Sequence, residues 1–247
     1  MEDYDDNQLA AKIAETAGQI LLAIQSSGLV NGKAMGAAGD AVANAFILQM
    51  LKHNRPGDAL LSEEEAADPK RLESRRVWVV DPLDGTREFS EGRSDWAVHV
   101  ALAIDGVPAA SAVALPGLGQ TLTSAAPNAL KPLSTAKTLR ILVSRTRPPA
   151  VALKVAEVLG AELIPMGSAG AKAMAVLRGE ADAYLHAEGQ YEWDSAAPVG
   201  VAHAAGLHVS RIDGSPMLYN QQADPYLPDI LVCRKEVAQS ILQAIAQ

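Results

Sequence analysis

Two carboxylates, Asp81 and Asp84, close the segment Val77-Trp78-Val79-Val80-Asp81-Pro82-Leu83-Asp84-Gly85-Thr86. Paired carboxylates are hard oxygen donors for a divalent cation. A cation so held can polarise a phosphoryl oxygen and activate water. The four apolar residues ahead of them, three of them β-branched valines, predict a buried strand. In open α/β sheets ligands gather at the carboxyl ends of strands. Pro82 fixes its own φ and biases Asp81 towards an extended backbone. Gly85 can take the positive φ of a sharp turn, and Thr86 can begin a helix whose free N–H groups favour an anion. Asp, Pro and Gly also dominate plain surface turns. The buried strand and the acids elsewhere in the chain favour the metal and phosphate reading.

Those acids are Asp40, Glu63, Glu64 and Asp194. Glu63-Glu64-Glu65 follows a short strand at 59–61; by itself it would suit a solvated first helical turn. Asp40 and Asp194 each read as a helix N-cap. Asp194 comes after a returning strand, at the same topological edge as Asp81. Four carboxylates brought to one edge repel strongly unless cations lie between them.

The elements that must position these groups follow from periodicity. Residues 7–26 carry helical spacing in Leu9, Ile13, Ala17, Ile20, Leu21 and Ile24. A second helix is expected from Asp40 through Leu51, stopped by Asn54-Arg55-Pro56-Gly57. Strands are expected at 96–104, 109–115 and 120–124, the first pair joined by the hairpin dipeptide Asp105-Gly106. This half, 1–130, is expected to be two helices on a mainly antiparallel sheet, an α+β arrangement. The second half, 138–247, alternates strands (139–143, 162–165, 181–185, 207–211, 230–233) with helices (149–159, 169–177, from 194, from 236). That alternation implies an α/β layer. The join is expected within 127–138.

A chain of 247 residues with 49% apolar content can bury a large core without disulfides. Net charge of −8 argues against nucleic-acid polymers and anionic membranes as partners. Cys233, the only cysteine, excludes a disulfide and any multi-cysteine metal site. Its neighbours Ile230, Leu231 and Val232 mark it as a buried structural thiol. The acidic start of the chain does not resemble a secretory signal, and no apolar stretch is expected to reach membrane-spanning length. A cytoplasmic location is expected. His99, His203 and His208 lie among apolar residues and read as structural.

Leu61-Ser62-Glu63-Glu64, the Asp81–Thr86 run with Glu88-Phe89, and Trp193-Asp194-Ser195-Ala196-Ala197 resemble the three signatures of the lithium-sensitive, magnesium-dependent phosphatases. That superfamily includes inositol monophosphatases, fructose-1,6-bisphosphatases and 3′(2′),5′-bisphosphate nucleotidases. The resemblance spans the chain from about Asp40 to Cys233 and is greatest to the CysQ-type nucleotidases. It implies an α/β protein of the layered α-β-α-β-α type. It also implies hydrolysis of 3′-phosphoadenosine 5′-phosphate (PAP) to AMP, with the sulfated analogue PAPS giving APS. Two to three Mg²⁺ ions are implied, with inhibition by Li⁺. In the family's pattern Glu63, Asp81 and the Leu83 carbonyl hold one ion, and Asp81, Asp84 and Asp194 a second. Asp40 helps to place a third or its water. Thr86, hydrogen-bonded towards Asp40, orients the attacking water with Glu64 behind it, and the Gly85 and Thr86 N–H groups cradle the phosphate. A homodimer is implied by likeness alone.

For the substrate, Ala187 stands where inositol phosphatases carry a glutamate that grips the sugar. Gly167, Ser168 and Lys172 resemble the nucleotidase residues near the second phosphate, although Lys172 also suits a solvated helical lysine. Ser144-Arg145-Thr146-Arg147 resembles a nucleotidase Ser-Arg-Ser-His run. Arg147 suits a phosphate bidentately but departs from the histidine that contacts adenosine. Inositol 1-phosphate and fructose 1,6-bisphosphate remain alternative substrates. Two other readings are a haloacid-dehalogenase phosphatase, whose Asp-x-Asp spacing differs from Asp81/Asp84, and a nucleotide sensor that binds without turnover.

Overall fold

The computed structural model describes residues 4–126, 130 and 138–247. Helices α1 (Asp6–Ser26) and α2 (Gly32–Asn54) precede β1 (Ala59–Ser62), β2 (Arg76–Asp84), the short α3 (Thr86–Ser90), β3 (Ala97–Ile104), β4 (Val107–Leu115) and β5 (Gln120–Thr123). These strands form one sheet in chain order, with β1 parallel to β2 and the other pairs antiparallel. Then follow β6 (Arg140–Ser144), α4 (Ala150–Leu159), β7 (Glu162–Met166), α5 (Ala169–Leu177), β8 (Ala183–His186), α6 (Glu192–Ala204), β9 (His208–Ser210), β10 (Ile230–Cys233) and α7 (Lys235–Ala246). The second sheet has the order β7-β6-β8-β10-β9, parallel through the first three strands and antiparallel beyond.

Three apolar cores set the layers. α1 and α2 cover the outer face of the first sheet through Leu9, Ile13, Leu21, Ile47 and Leu51 against Trp78, Val80, Val98 and Val100. α5 and α6 lie between the sheets, with Met174, Val176, Val199 and Val201 meeting Val77, Val79, Tyr184 and Val232. α4 and α7 close the far side, where Val155 and Ile241 meet Ile141, Leu185 and the buried Cys233. The result is the expected α-β-α-β-α order.

Strand alternation decides what each face receives. In β2, Trp78 and Val80 face the outer helices, while Val77 and Val79 face the middle layer. Asp81 continues the second row. Each valine is at most 1% exposed, which is worth about 1.5–3 kcal/mol of burial per side chain. A one-residue slip would turn the acid row outward and bury the wrong residues. The register is therefore strongly set.

Three expectations need correction here. Asp40 is not an N-cap: α2 begins two turns earlier, after Asn31, and Asp40 lies in its interior. Gly36 and Gly39, within this longer helix, are close-contact positions. A Cβ on Gly36 would lie 2.8 Å from Thr86 Cγ2, and one on Gly39 would lie 3.0–3.1 Å from Phe89, Leu21 and Leu83. Secondly, α2 is long and apolar enough by length and composition to cross a membrane, with mean hydropathy of 1.2 over its best window. Half of that window is buried inside the protein, where α2 packs on α1 and α3. Thirdly, the histidines differ from one another: His203 is exposed and His208 half-buried with Nε2 2.9 Å from Ser210 Oγ. The join expected within 127–138 falls almost wholly outside the described residues.

Candidate active site

The acids meet where β1 and β2 end. β2 continues through Asp84, and its register against β3 shifts between Asp81 and Asp84. That irregularity re-aims side chains, as β-bulges do beside functional sites. The Leu83 N–H donates to Asp81 Oδ1 at 3.1 Å. Gly85 takes φ 91°, as expected, and starts α3. β1, parallel to β2, delivers Glu63, whose N–H donates to the Val80 carbonyl at 3.3 Å. A turn then carries Glu63, Glu64 and Glu65; the residues are exposed overall, but the Glu63 carboxyl turns in to hydrogen-bond with Asp81. Asn44 of α2 tethers this turn, accepting from Ser62 Oγ at 2.8 Å and donating to Glu65 at 3.1 Å. Nothing in the sequence marks Asn44 beyond its place one helical turn after Asp40.

Asp194 is also not an N-cap. It is the third residue of α6, and its Oδ2 accepts the Tyr191 N–H at 2.7 Å. Carboxylate oxygens of Asp81, Asp84 and Asp194 all lie within 4.8 Å of one another. Three oxygen donors at that spacing fit a divalent cation. At the same strand end, Thr86 Oγ1 lies 3.4 Å from Asp40 Oδ1 and 3.1 Å from the Leu83 carbonyl.

The electrostatics fit a cation as well. Burial pushes Asp81 well above the ordinary carboxylate range, and the charges of Glu63, Asp84 and Asp194 push it further. Loss of hydration and neighbouring acids raise Glu63 and Asp194 to about 7. Burial and Glu64 raise Asp40 to about 7. Such a cluster binds protons unless a metal displaces them.

Asp84 behaves differently. Burial opposes its ionisation, yet His99, Lys172 and Ser168 outweigh that and hold it below the ordinary range. Its carboxylate sits at the start of α5, accepting from Ala169 N at 3.1 Å, Gly170 N at 2.7 Å and Ser168 Oγ at 2.5 Å. An anion is well placed there. Ser168 adopts φ 55°, a left-handed value uncommon for serine, and its hydroxyl also accepts the Ala171 N–H. Ser168 thus braces Asp84, a role that its sequence position does not suggest.

Lys172 is buried, not solvated: its Nζ donates to the Ser168 carbonyl at 2.6 Å and lies 5.0 Å over the Tyr184 ring. Beside it opens a cavity of about 500 Å³ lined by Arg87, Arg145, Arg147, Gly167, Ser168 and Lys172. Arg145 is engaged by Glu88 and Glu91. A Cβ on Gly167 would lie 2.3 Å from Glu88 Cγ, so only glycine lets that wall close. Arg147, Gly167, Ser168 and Lys172, expected to act together, are therefore neighbours. His99, read as a structural histidine, is buried as that reading implies, and it also touches the acids. It faces Asp81 across β2–β3, is fully buried, and reaches Asp84 at 3.2 Å and the Trp193 carbonyl at 3.0 Å.

The acid cluster at the strand end could hold a metal ion. Residues 6–246 match the model of the inositol monophosphatase family, and the chain belongs to that family. It is 54% identical over 239 residues to the 3′-phosphoadenosine 5′-phosphate phosphatase of Mycobacterium tuberculosis, covering 93% of this chain and 89% of that one. Among solved structures it is similar to inositol monophosphatase II of Staphylococcus aureus (TM-score 0.81, 21% identity, 95% and 91% of the chains). It is also similar to CysQ of Bacteroides thetaiotaomicron (TM-score 0.75, 26% identity, 92% and 96%).

Proposed function

We propose that this chain removes the 3′-phosphate of PAP, giving AMP, and acts likewise on PAPS to give APS. The observation that carries the reading is the meeting of Asp81, Asp84 and Asp194 within 4.8 Å, beside the Thr86–Asp40 pair. Identity of 54% to a PAP phosphatase supports the substrate. So does a cavity with Arg147 and Lys172 beside the acids, suited to the second phosphate of a bisphosphate.

Mg²⁺ is the expected cation, and bound there it supplies charge neutralisation and lowers the pKa of water. Glu63, Asp81 and the Leu83 carbonyl would hold one ion, and Asp81, Asp84 and Asp194 another, with Asp40 near a third. Thr86 Oγ1, its proton directed to Asp40 Oδ1, orients the attacking water. Asp40, poised at about 7, suits a proton acceptor near neutral pH. Glu64 supports Asp40 by charge. The Gly85 and Thr86 N–H groups hold the phosphoryl oxygens, while Gly167, Ser168, Lys172 and Arg147 line the second phosphate. A cytoplasmic homodimer completes the proposal, on family likeness.

The test is phosphate release from PAP, fructose 1,6-bisphosphate and inositol 1-phosphate, side by side, with Mg²⁺, with chelator and with millimolar Li⁺. PAP is expected to be preferred, with activity lost in chelator and reduced by Li⁺. Preference for inositol 1-phosphate would overturn the substrate. Tight PAP binding with no phosphate release would make the protein a sensor.

A further inference from the structure

His99 occupies a place that a core packing residue does not need. It lies on β3 opposite Asp81, in a row whose other members, Ala97 and Ala101, are small and apolar and pack in the middle layer. The ring is 0% exposed. Its Nε2 lies 3.2 Å from Asp84 Oδ2, and its Nδ1 lies 3.0 Å from the backbone carbonyl of Trp193, the residue before Asp194. One imidazole therefore spans β2 and the first turn of α6, the two elements that supply the carboxylates. Space for it is made by α5. A Cβ on Gly170 would lie 2.1 Å from His99 Nε2, a distance no pair of non-bonded heavy atoms tolerates. Gly170 also donates its N–H to the Asp84 oxygen that His99 approaches. Lone packing would be met equally by leucine. Packing does not explain two polar contacts, one to Asp84 and one to the backbone just before Asp194.

We infer that His99, seated by the bare Cα of Gly170, is a positioning residue that fixes the spacing between Asp84 and Asp194. As the imidazolium, its Nδ1–H donates to the Trp193 carbonyl and so steadies the turn that bears Asp194. Its Nε2–H, 3.2 Å from Asp84 Oδ2, attracts that carboxylate as an ion pair rather than through an aligned hydrogen bond. The inference rests on the metal reading of the proposed function. Groups that orient metal ligands typically change metal affinity by about 10- to 100-fold when removed.

The experiment measures Mn²⁺ binding to the intact, chelator-stripped protein by electron paramagnetic resonance of the free ion, alongside thermal unfolding of the metal-free form. Four variants are compared: His99→Leu, His99→Gln, His99→Asn and Gly170→Ala. Glutamine places a donor near the Nε2 position and asparagine near Nδ1, so the pair separates the two contacts even if His99→Leu folds poorly. The expected result is Mn²⁺ affinity reduced about 10- to 100-fold in His99→Leu and Gly170→Ala. His99→Gln should recover most of that loss, and more than His99→Asn. Unchanged Mn²⁺ affinity in folded His99→Leu, or equal loss in Gln, Asn and Leu variants, overturns the inference. Asp84→Asn serves as the control: if it too leaves Mn²⁺ binding unchanged, the metal reading itself fails. If Asp84→Asn weakens binding and the His99 variants do not, only the role of His99 falls.

Discussion

With no metal bound at the proposed site, the stability of this protein should fall as pH rises through neutrality. Asp40 and Asp194 carry carboxyls raised to about 7, by burial first and by neighbouring acids second; an unfolded aspartate titrates near 3.9. A folded-state pKa above the unfolded value means that the folded chain holds the extra proton. Its stabilising contribution is complete at low pH and is lost as pH rises through the folded pKa. Between pH 6.5 and 8 linkage gives a loss of about 0.8 kcal/mol for each such group, or about 1.6 kcal/mol for the two. His186 opposes them. Burial, then Lys172, lowers its imidazole to about 4, which returns about 0.4 kcal/mol over the same interval. The balance is a loss of about 1 kcal/mol, to which Glu63 and Asp81 add in the same direction. For a chain of this length that lowers the melting temperature by about 2–4 °C. On the proposed metal binding, saturating Mg²⁺ would replace the protons, and at a hundred times its Kd it would add about 2.7 kcal/mol. Calorimetry in chelator and in Mg²⁺ across pH 6.5–8 reads both curves. The stabilisation by Mg²⁺ should widen as pH rises. A chelated protein whose melting temperature stays level or climbs, with a constant Mg²⁺ increment, would refute the reasoning.

Three further outcomes follow from the same geometry. Asp84→Asn is expected to lower phosphate release more than about a hundred-fold, beyond the range seen for groups behind metal ligands; near-normal turnover removes Asp84 from the metal site. Gly36→Ala would put a Cβ 2.6 Å from Ser90 Oγ and 2.8 Å from Thr86 Cγ2, so it should cost about 1–3 kcal/mol of stability and reduce kcat by displacing Thr86; unchanged kcat and melting temperature would contradict that contact. Acid quenching during turnover of labelled PAP should trap no phosphoenzyme, because Asp81 is directed into the acid cluster; a stable aspartyl-phosphate on Asp81 would favour the dehalogenase-type reaction.

Much of this protein was legible in its residues because strong local patterns rule there. The valines before Asp81, the Asp105-Gly106 turn and the alternation of the second half each fixed an element by period or turn chemistry alone. The order of the acids along the chain also pointed to phosphate chemistry. Positions that depend on distant partners were not legible. Gly36 and Gly39 look like the end of a loop, and only their contacts with α3 and the Leu83 side chain show why α2 runs through them. Lys172 has the spacing of a solvated helical residue, yet the second sheet covers it. His99 alternates with Val98 and Val100 as a core residue would; its partners Asp84, Gly170 and Trp193 come from three other segments. Local periodicity reports which face a side chain takes, and the sequence alone determined that much. Which atoms meet it there depends on strand register and helix docking between remote segments, so only the tertiary structure decided the working arrangement of the site.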